Sequence, residues 1–150
     1  MSGIVIVDAS IALKWVLSEP DSSIAKALLL KWNTEGKDVL APGLFAYEIT
    51  NILYRQVVMG KLSYDEARSL LKKLFSIGIL IDFSQYEDIS TQAMELSHRF
   101  GLPAAYDAHY LALAEHENCE YWTADARLWN TIRGKLPWVR WLADYQPTSP

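Results

Sequence analysis

The chain has 150 residues, a formal charge of −4 and a single cysteine, and 51% of its residues are apolar. This length and composition predict one globular domain and exclude both a disordered chain and a disulfide-bonded framework. No stretch approaches the ~20 consecutive apolar residues that span a bilayer, and no basic-then-apolar leader is visible. We therefore expect a cytoplasmic protein that makes no membrane contact.

Short apolar runs alternate with longer helical patterns along the chain. In chain order, strands are predicted at residues 4–7, 39–41, 79–81, 119–122 and, more weakly, 138–141. Helices are predicted between them, because parallel strands need such crossovers. The expected fold is α/β, a three-layer sandwich in which helices flank a mainly parallel sheet of four to five strands. Residues 146–150 are expected to form a loose tail.

Several helix boundaries carry their own signals. Ser63 with Glu66, and Ser84 with Glu87, both fit the capping box, in which a serine caps a free amide and a glutamate reaches back. Pro103 predicts the start of a helix that runs to about residue 117. A helix is also expected to begin after residues 42–43 and to run to about residue 59.

Acidic residues stand at breaks in the apolar pattern. Asp8 directly follows the first predicted strand, and Asp125 comes shortly after the fourth. Because ligands of parallel sheets bind beyond the carboxyl ends of the strands, both carboxylates belong at one edge. Each one alone is better explained as a helix N-cap. Their shared edge favours a functional site.

Two further acids lie in predicted helices. Helical spacing places Glu48 on one face with Leu44 and Ile52, where burial is costly without a partner. An exposed face, or pairing with Arg55, would also explain it. Asp107 lies in the first turn of its predicted helix, where the helix dipole alone accounts for an acid. If the fold gathers all four acids, a divalent cation is the natural partner for their charge.

Four segments of the chain, in order, resemble the motifs of the PIN-domain ribonucleases. They are Val7-Asp8-Ala9-Ser10, Tyr47-Glu48-Ile49-Thr50-Asn51, Tyr106-Asp107-Ala108-His109-Tyr110-Leu111-Ala112-Leu113-Ala114 and Thr123-Ala124-Asp125. Chain size, motif order and spacing are most similar to the VapC toxins of toxin–antitoxin pairs. The resemblance covers essentially the whole chain, but it does not explain the tryptophan-rich C-terminal stretch.

The resemblance implies a metal-dependent endoribonuclease whose products carry a 5′-phosphate and a 3′-hydroxyl. On this interpretation Asp8 and Asp107 bind Mg²⁺ (or Mn²⁺) directly, while Glu48 and Asp125 complete the metal site and hold bound waters or a second ion. The implied partners are an RNA substrate, a VapB-like antitoxin and a second copy of the chain. Apolar side chains in excess on the helices over residues 21–35 and 44–77 would form the groove for such a partner, unless they are core.

Other residues near the acids remain open to two interpretations. For Thr123 two interpretations are open: it orients Asp125 or a water, or it makes only a local turn or N-cap bond. For Ser10 the local bond is the simpler interpretation. Arg127 and Lys14 could reach a phosphate, but a solvated helix surface is the preferred interpretation for each one individually. The histidines and Cys119 are interpreted as surface or packing residues.

Two other functions compete with this interpretation. A phosphotransferase of the HAD type needs a second acid two residues after the first, and that position holds Ser10. The stronger alternative is a catalytically inert PIN-like module that binds RNA or protein.

Overall fold

The computed structural model describes residues 3–147. Its elements, in chain order, are β1 (Ile4–Val7), α1 (Ala9–Val16), α2 (Ser22–Thr34), β2 (Asp38–Pro42), α3 (Leu44–Val58), α4 (Tyr64–Ser76), β3 (Leu80–Asp82), α5 (Tyr86–Phe100), α6 (Ala108–Glu117), β4 (Glu120–Thr123), α7 (Ala126–Ile132) and β5 (Val139–Trp141), followed by a short 3₁₀ turn (Leu142–Asp144).

All five strands are parallel and lie in the order β3-β2-β1-β4-β5. The predicted parallel α/β fold is confirmed. Strand β1 lies at the centre, with Ile6 opposite Leu40 of β2 on one side and opposite Tyr121 of β4 on the other. Burial on both faces explains why β1 is continuously apolar. The chain order reverses beside β1, and in such sheets the reversal opens a cleft at the carboxyl ends of the strands.

Strand boundaries differ from the predicted ones by one residue at several ends. Strands β3, β4 and β5 each begin one residue later than the apolar runs indicate. Cys119 therefore precedes β4, donates its amide to the carbonyl of Ala114 over 3.1 Å, and is half-buried. Cys119 packs against the core, as interpreted, but its place in the strand predicted over residues 119–122 is wrong. Apolar character alone does not distinguish the last loop residue from the first strand residue.

One of the two predicted capping boxes forms. Ser63 and Glu66 make both reciprocal bonds at the start of α4. The Ser84 box is wrong: the Ser84 amide and hydroxyl instead bond the carboxylate of Asp82, at 2.7 and 2.5 Å. Helix α5 consequently begins after Gln85 without a side-chain cap. Asp82 ends β3 and competes for the serine that would otherwise cap the helix.

The helix predicted from Pro103 begins later, at Ala108. The preceding segment forms turns, in which the amides of His109 and Tyr110 bond carbonyls only three residues back, those of Tyr106 and Asp107. Asp107 is therefore the N-cap residue of α6 rather than part of its first turn.

The tryptophan-rich C-terminal stretch is structural. Trp122 of β4 makes edge contacts with Trp32 of α2 on one side and with Tyr145 on the other. Trp129 of α7 stacks on Trp141 of β5 with ring centroids 5.7 Å apart. These pairs fix the edge of the sheet that carries β5.

Within residues 3–147, no helix combines the length and apolar character that a bilayer crossing requires. Of the predicted loose tail, residues 146 and 147 are exposed and lie outside helices and strands. Residues 148–150 lie outside the described part of the chain.

Candidate active site

Asp8 follows β1 directly, and only 6% of its surface is exposed. Four hydrogen-bond donors hold its carboxyl group. The Ser10 hydroxyl and the Ile11 amide donate to Oδ1, the amide over 3.3 Å. The hydroxyls of Tyr121 and Thr123 donate to Oδ2, each over 2.5 Å. Asp8 is thus both the N-cap of α1 and the centre of a buried polar network.

Burial raises the pKa of Asp8, and the hydrogen bonds from Ser10, Thr123, Tyr121 and Ile11 oppose that rise. A buried acid with four donors is an arrangement that stabilises negative charge at a defined position. The carboxyl group of Asp8 is therefore held at a fixed position at the end of the central strand.

Glu48 lies in the second turn of α3, close to the carboxyl end of β2, and is half-buried as its helical spacing predicts. Its Oε1 accepts a hydrogen bond of 2.5 Å from the hydroxyl of Tyr110 in α6. The alternative pairing with Arg55 does not form among the described residues, whose ion pairs lie elsewhere. The partner of Glu48 is a phenol rather than a cation, so its charge is not neutralised.

Asp107, at the N-cap position of α6, is half-buried, and its side chain caps no helix amide. Burial raises its pKa to about 6, with further contributions from the charges of Asp125 and Asp8, while Arg127 opposes the rise. Asp107, Glu48 and Arg127 line one open cleft of about 450 Å³.

The four acids act on one another electrostatically. The pKa of Glu48 is raised to about 7. Burial is the largest cause, and the charges of Asp107, Asp8 and Asp125 contribute to the same rise. The structure therefore brings together carboxylates from the end of β1, from α3, from the start of α6 and from the loop after β4. A bound cation would therefore reduce the electrostatic repulsion among these carboxylates.

Asp125 caps α7, since its Oδ1 accepts from the amides of Arg127 and Leu128 at 2.9 and 3.2 Å. Its own amide donates to the Thr123 hydroxyl over 3.0 Å. Thr123 in turn donates to Asp8, so it orients Asp8 by its side chain and Asp125 only through the backbone. Both interpretations offered for Asp125, cap and site residue, are compatible with this position.

The PIN domain family profile matches residues 5–133. The chain belongs to the PIN domain family. Ribonuclease VapC3 of Pyrobaculum aerophilum is 30% identical over 124 residues, which cover 82% of this chain and 90% of that relative. The crystal structure of PAE2754 from Pyrobaculum aerophilum superposes with a TM-score of 0.63 at 23% identity, covering 87% of this chain and 80% of that one. The second likeness concerns the fold alone.

Sequence analysis of this PIN domain missed the two tyrosines, Tyr110 and Tyr121, that bond its acids. Tyr121 lies two residues before Thr123 in β4, so strand alternation places both on one face. Tyr110 lies three residues after Asp107, which places both on one side of α6. Ser10, for which a purely local bond was the simpler interpretation, also accepts from the amide of Ala124 over 2.9 Å and so connects the ends of β1 and β4.

The donor set of this PIN domain fits a hard divalent cation. All the candidate ligand atoms are carboxylate oxygens, which Mg²⁺ and Mn²⁺ prefer. Within residues 3–147, no three His, Cys, Asp or Glu side chains converge closely enough to enclose an ion. An open arrangement agrees with Mg²⁺ chemistry, in which one or two carboxylates bind the ion and waters complete its shell.

Proposed function

We propose that this PIN domain is a metal-dependent endoribonuclease that hydrolyses RNA phosphodiester bonds, and that it is the toxin of a VapBC-type toxin–antitoxin pair. The observation that carries the proposal is the set of four acids that separate elements deliver to one edge of the sheet, where the charges of the others help to raise the pKa of Glu48 and of Asp107. The ribonuclease name of the curated relative supports the reaction class.

In this proposal Asp8 and Asp107 are the direct ligands of Mg²⁺ or Mn²⁺. Asp107 caps no helix amide, so its carboxylate is available to the cleft. Asp8 is fixed by its four donors, which reduces the entropy lost when it binds an ion. Glu48 and Asp125 complete the metal site. A divalent cation there supplies the positive charge that activates water and stabilises the leaving oxygen at the scissile phosphate.

Arg127 is the proposed contact to RNA phosphate. It is exposed, lines the cleft beside Asp107, and is close enough to lower the pKa of that acid. An arginine there can bind a phosphate oxygen of the strand that the acids cleave. Lys14 is the weaker candidate, since its Nζ donates to the carbonyl of Pro20 over 2.8 Å.

The proposed protein partners are a VapB-like antitoxin and a second copy of the chain. Large apolar side chains remain between 45% and 68% exposed on or beside α2, α3 and α4, where sequence analysis expects a groove: Leu30, Tyr47, Tyr54, Val58, Met59, Tyr64 and Phe75. An amphipathic antitoxin helix or the same face of a partner copy would remove this surface from water.

The test is cleavage of structured and unstructured RNAs with added Mg²⁺ or Mn²⁺, with and without a chelator. The proposal expects internal cleavage that depends on the ion. An inert module that only binds RNA or protein would leave every RNA intact under the same conditions, and that result would overturn the proposed activity.

A further inference from the structure

Two buried tyrosines lie side by side beneath the acids. Tyr110 comes from α6 and Tyr121 from β4, and their exposed fractions are 1% and 0%. The rings are stacked, with centroids 5.7 Å apart and planes inclined by 14°. Stacking and burial together leave each ring a single position, so each hydroxyl is also fixed in space.

Each hydroxyl of the pair is bound to a different acid. Tyr121 donates to Asp8 Oδ2 and Tyr110 donates to Glu48 Oε1, both over 2.5 Å. Each hydroxyl faces a carboxylate oxygen, which accepts hydrogen bonds, so each phenol acts as the donor.

The two acids depend on this pair to different degrees. Asp8 has three other donors, from Ser10, Ile11 and Thr123. Within residues 3–147, one hydrogen bond fixes the Glu48 carboxylate, and it comes from Tyr110. Since Glu48 also lines the open cleft, removal of the Tyr110 hydroxyl frees its carboxylate to rotate, whereas removal of the Tyr121 hydroxyl leaves Asp8 largely in place.

We propose that Tyr110 and Tyr121 form one positioning unit that sets the orientation and separation of the Glu48 and Asp8 carboxylates for a divalent cation. The inference rests on the proposed metal-dependent function. Neither tyrosine would touch the ion or the substrate. Tyr110 holds one oxygen of the Glu48 carboxylate, which lines the cleft, and Tyr121 holds Asp8 Oδ2 together with Thr123. Partners that orient metal-binding side chains in this way commonly govern ion affinity.

The first test is Mn²⁺ binding by calorimetry, because it reports on the site without requiring an RNA substrate. Tyr110→Phe removes one oxygen and keeps the stacked ring. We expect it to weaken Mn²⁺ binding by about 10-fold, at the lower end of the usual effect of such partners, and Tyr121→Phe to weaken it by about 2- to 5-fold. Tyr86→Phe, at a 75% exposed tyrosine of α5, is the matched control and should leave affinity unchanged.

A double-mutant cycle separates positioning from mere stability. If Tyr110 acts through Glu48, Tyr110→Phe should cause no further loss of Mn²⁺ affinity in a Glu48→Gln background. A purely structural role would lower the denaturation midpoint while Mn²⁺ affinity stays at that of the parent, and that result would overturn the inference. If Tyr110→Phe does not fold, Tyr121→Phe decides by the same measure: weaker binding supports the unit and unchanged binding overturns it.

The outcomes distinguish this inference from the proposed function. Absence of Mn²⁺ binding by the parent protein would overturn both. Binding that Glu48→Gln weakens but Tyr110→Phe does not would overturn the positioning unit alone.

Discussion

Thr123 donates its hydroxyl hydrogen to Asp8 Oδ2 over 2.5 Å, between the ends of two neighbouring parallel strands. The same oxygen of Thr123 accepts the amide hydrogen of Asp125. One fully buried side chain therefore connects the acid after β1 with the acid after β4. The relative position of these two acids depends on a threonine that contributes no charge.

Thr123→Val tests this connection, because valine has nearly the same shape and cannot bond either group. The substitution leaves the Asp125 amide without its acceptor and removes one donor from Asp8. We expect the free energy of unfolding, measured with urea, to fall by about 1–3 kcal/mol.

Thr91→Val is the matched control. Thr91 is exposed on α5, where its hydroxyl bonds only the carbonyl one turn earlier, that of Glu87. A change within about 0.5 kcal/mol is expected there. Equal losses in the two variants would mean that the Thr123 network adds nothing to stability.

Asp107→Asn should stabilise the chain in the absence of a divalent cation. The Asp107 carboxylate is half-buried, caps no amide, and is repelled by Asp125 and Asp8. Removing its charge removes both the cost of burying a charge and the repulsion from Asp125 and Asp8. The free energy of unfolding should therefore rise by on the order of 1 kcal/mol near neutral pH, after allowing for solvent screening. Thermal or urea unfolding with a chelator present measures the change.

Asp8→Asn provides the contrast. An asparagine amide would turn its N–H group toward two of the four donors that now face the carboxylate, and at least one bond would be lost. A loss of about 1–3 kcal/mol is expected. Similar gains in both variants would show that repulsion, rather than hydrogen bonding, dominates at Asp8.

Stability of the metal-free chain should decrease as pH rises. The pKa of Glu48 is raised from 4.5 to about 7, and that of Asp107 from 3.8 to about 6. Between the unfolded and folded values the folded chain binds more protons than the unfolded chain. The free energy of unfolding therefore falls across this window, from about pH 4 to about pH 7, and is lowest above it.

The measurement is urea unfolding at a series of pH values with a chelator present. Glu48→Gln removes one of the two groups and should flatten the upper part of the window, from about pH 6 to about pH 7. A stability that instead increases with pH across this range would contradict the raised pKa values.

Local sequence rules predicted the part of the site that depends on strand ends. Asp8 directly follows a continuous apolar run and Asp125 comes two residues after β4, and a parallel sheet places the carboxyl ends of its strands at one edge. Glu48 was indicated by its apolar helix neighbours. These inferences need only the period of each element and the order of the strands.

The hydroxyl donors were not predictable in the same way. Tyr121 lies 113 residues from Asp8 and Tyr110 lies 62 residues from Glu48, and a tyrosine in an apolar pattern is indistinguishable from ordinary core. The start of α6 was missed for a different reason, since Pro103 is compatible with a helix N-terminus but also with the turns that occupy this segment.

If the acids at the carboxyl edge of the sheet hold the cation that drives RNA hydrolysis, RNA cleavage depends on their charge. The most direct test compares RNA cleavage by the parent, Asp107→Asn and Asp38→Asn in Mg²⁺ or Mn²⁺. Asp38 is an exposed acid at the opposite edge of the same sheet, where β2 begins. We expect Asp38→Asn to match the parent and Asp107→Asn to lose roughly 100-fold or more of the activity while remaining folded. Parental cleavage by Asp107→Asn, or cleavage that survives chelation, would contradict the account.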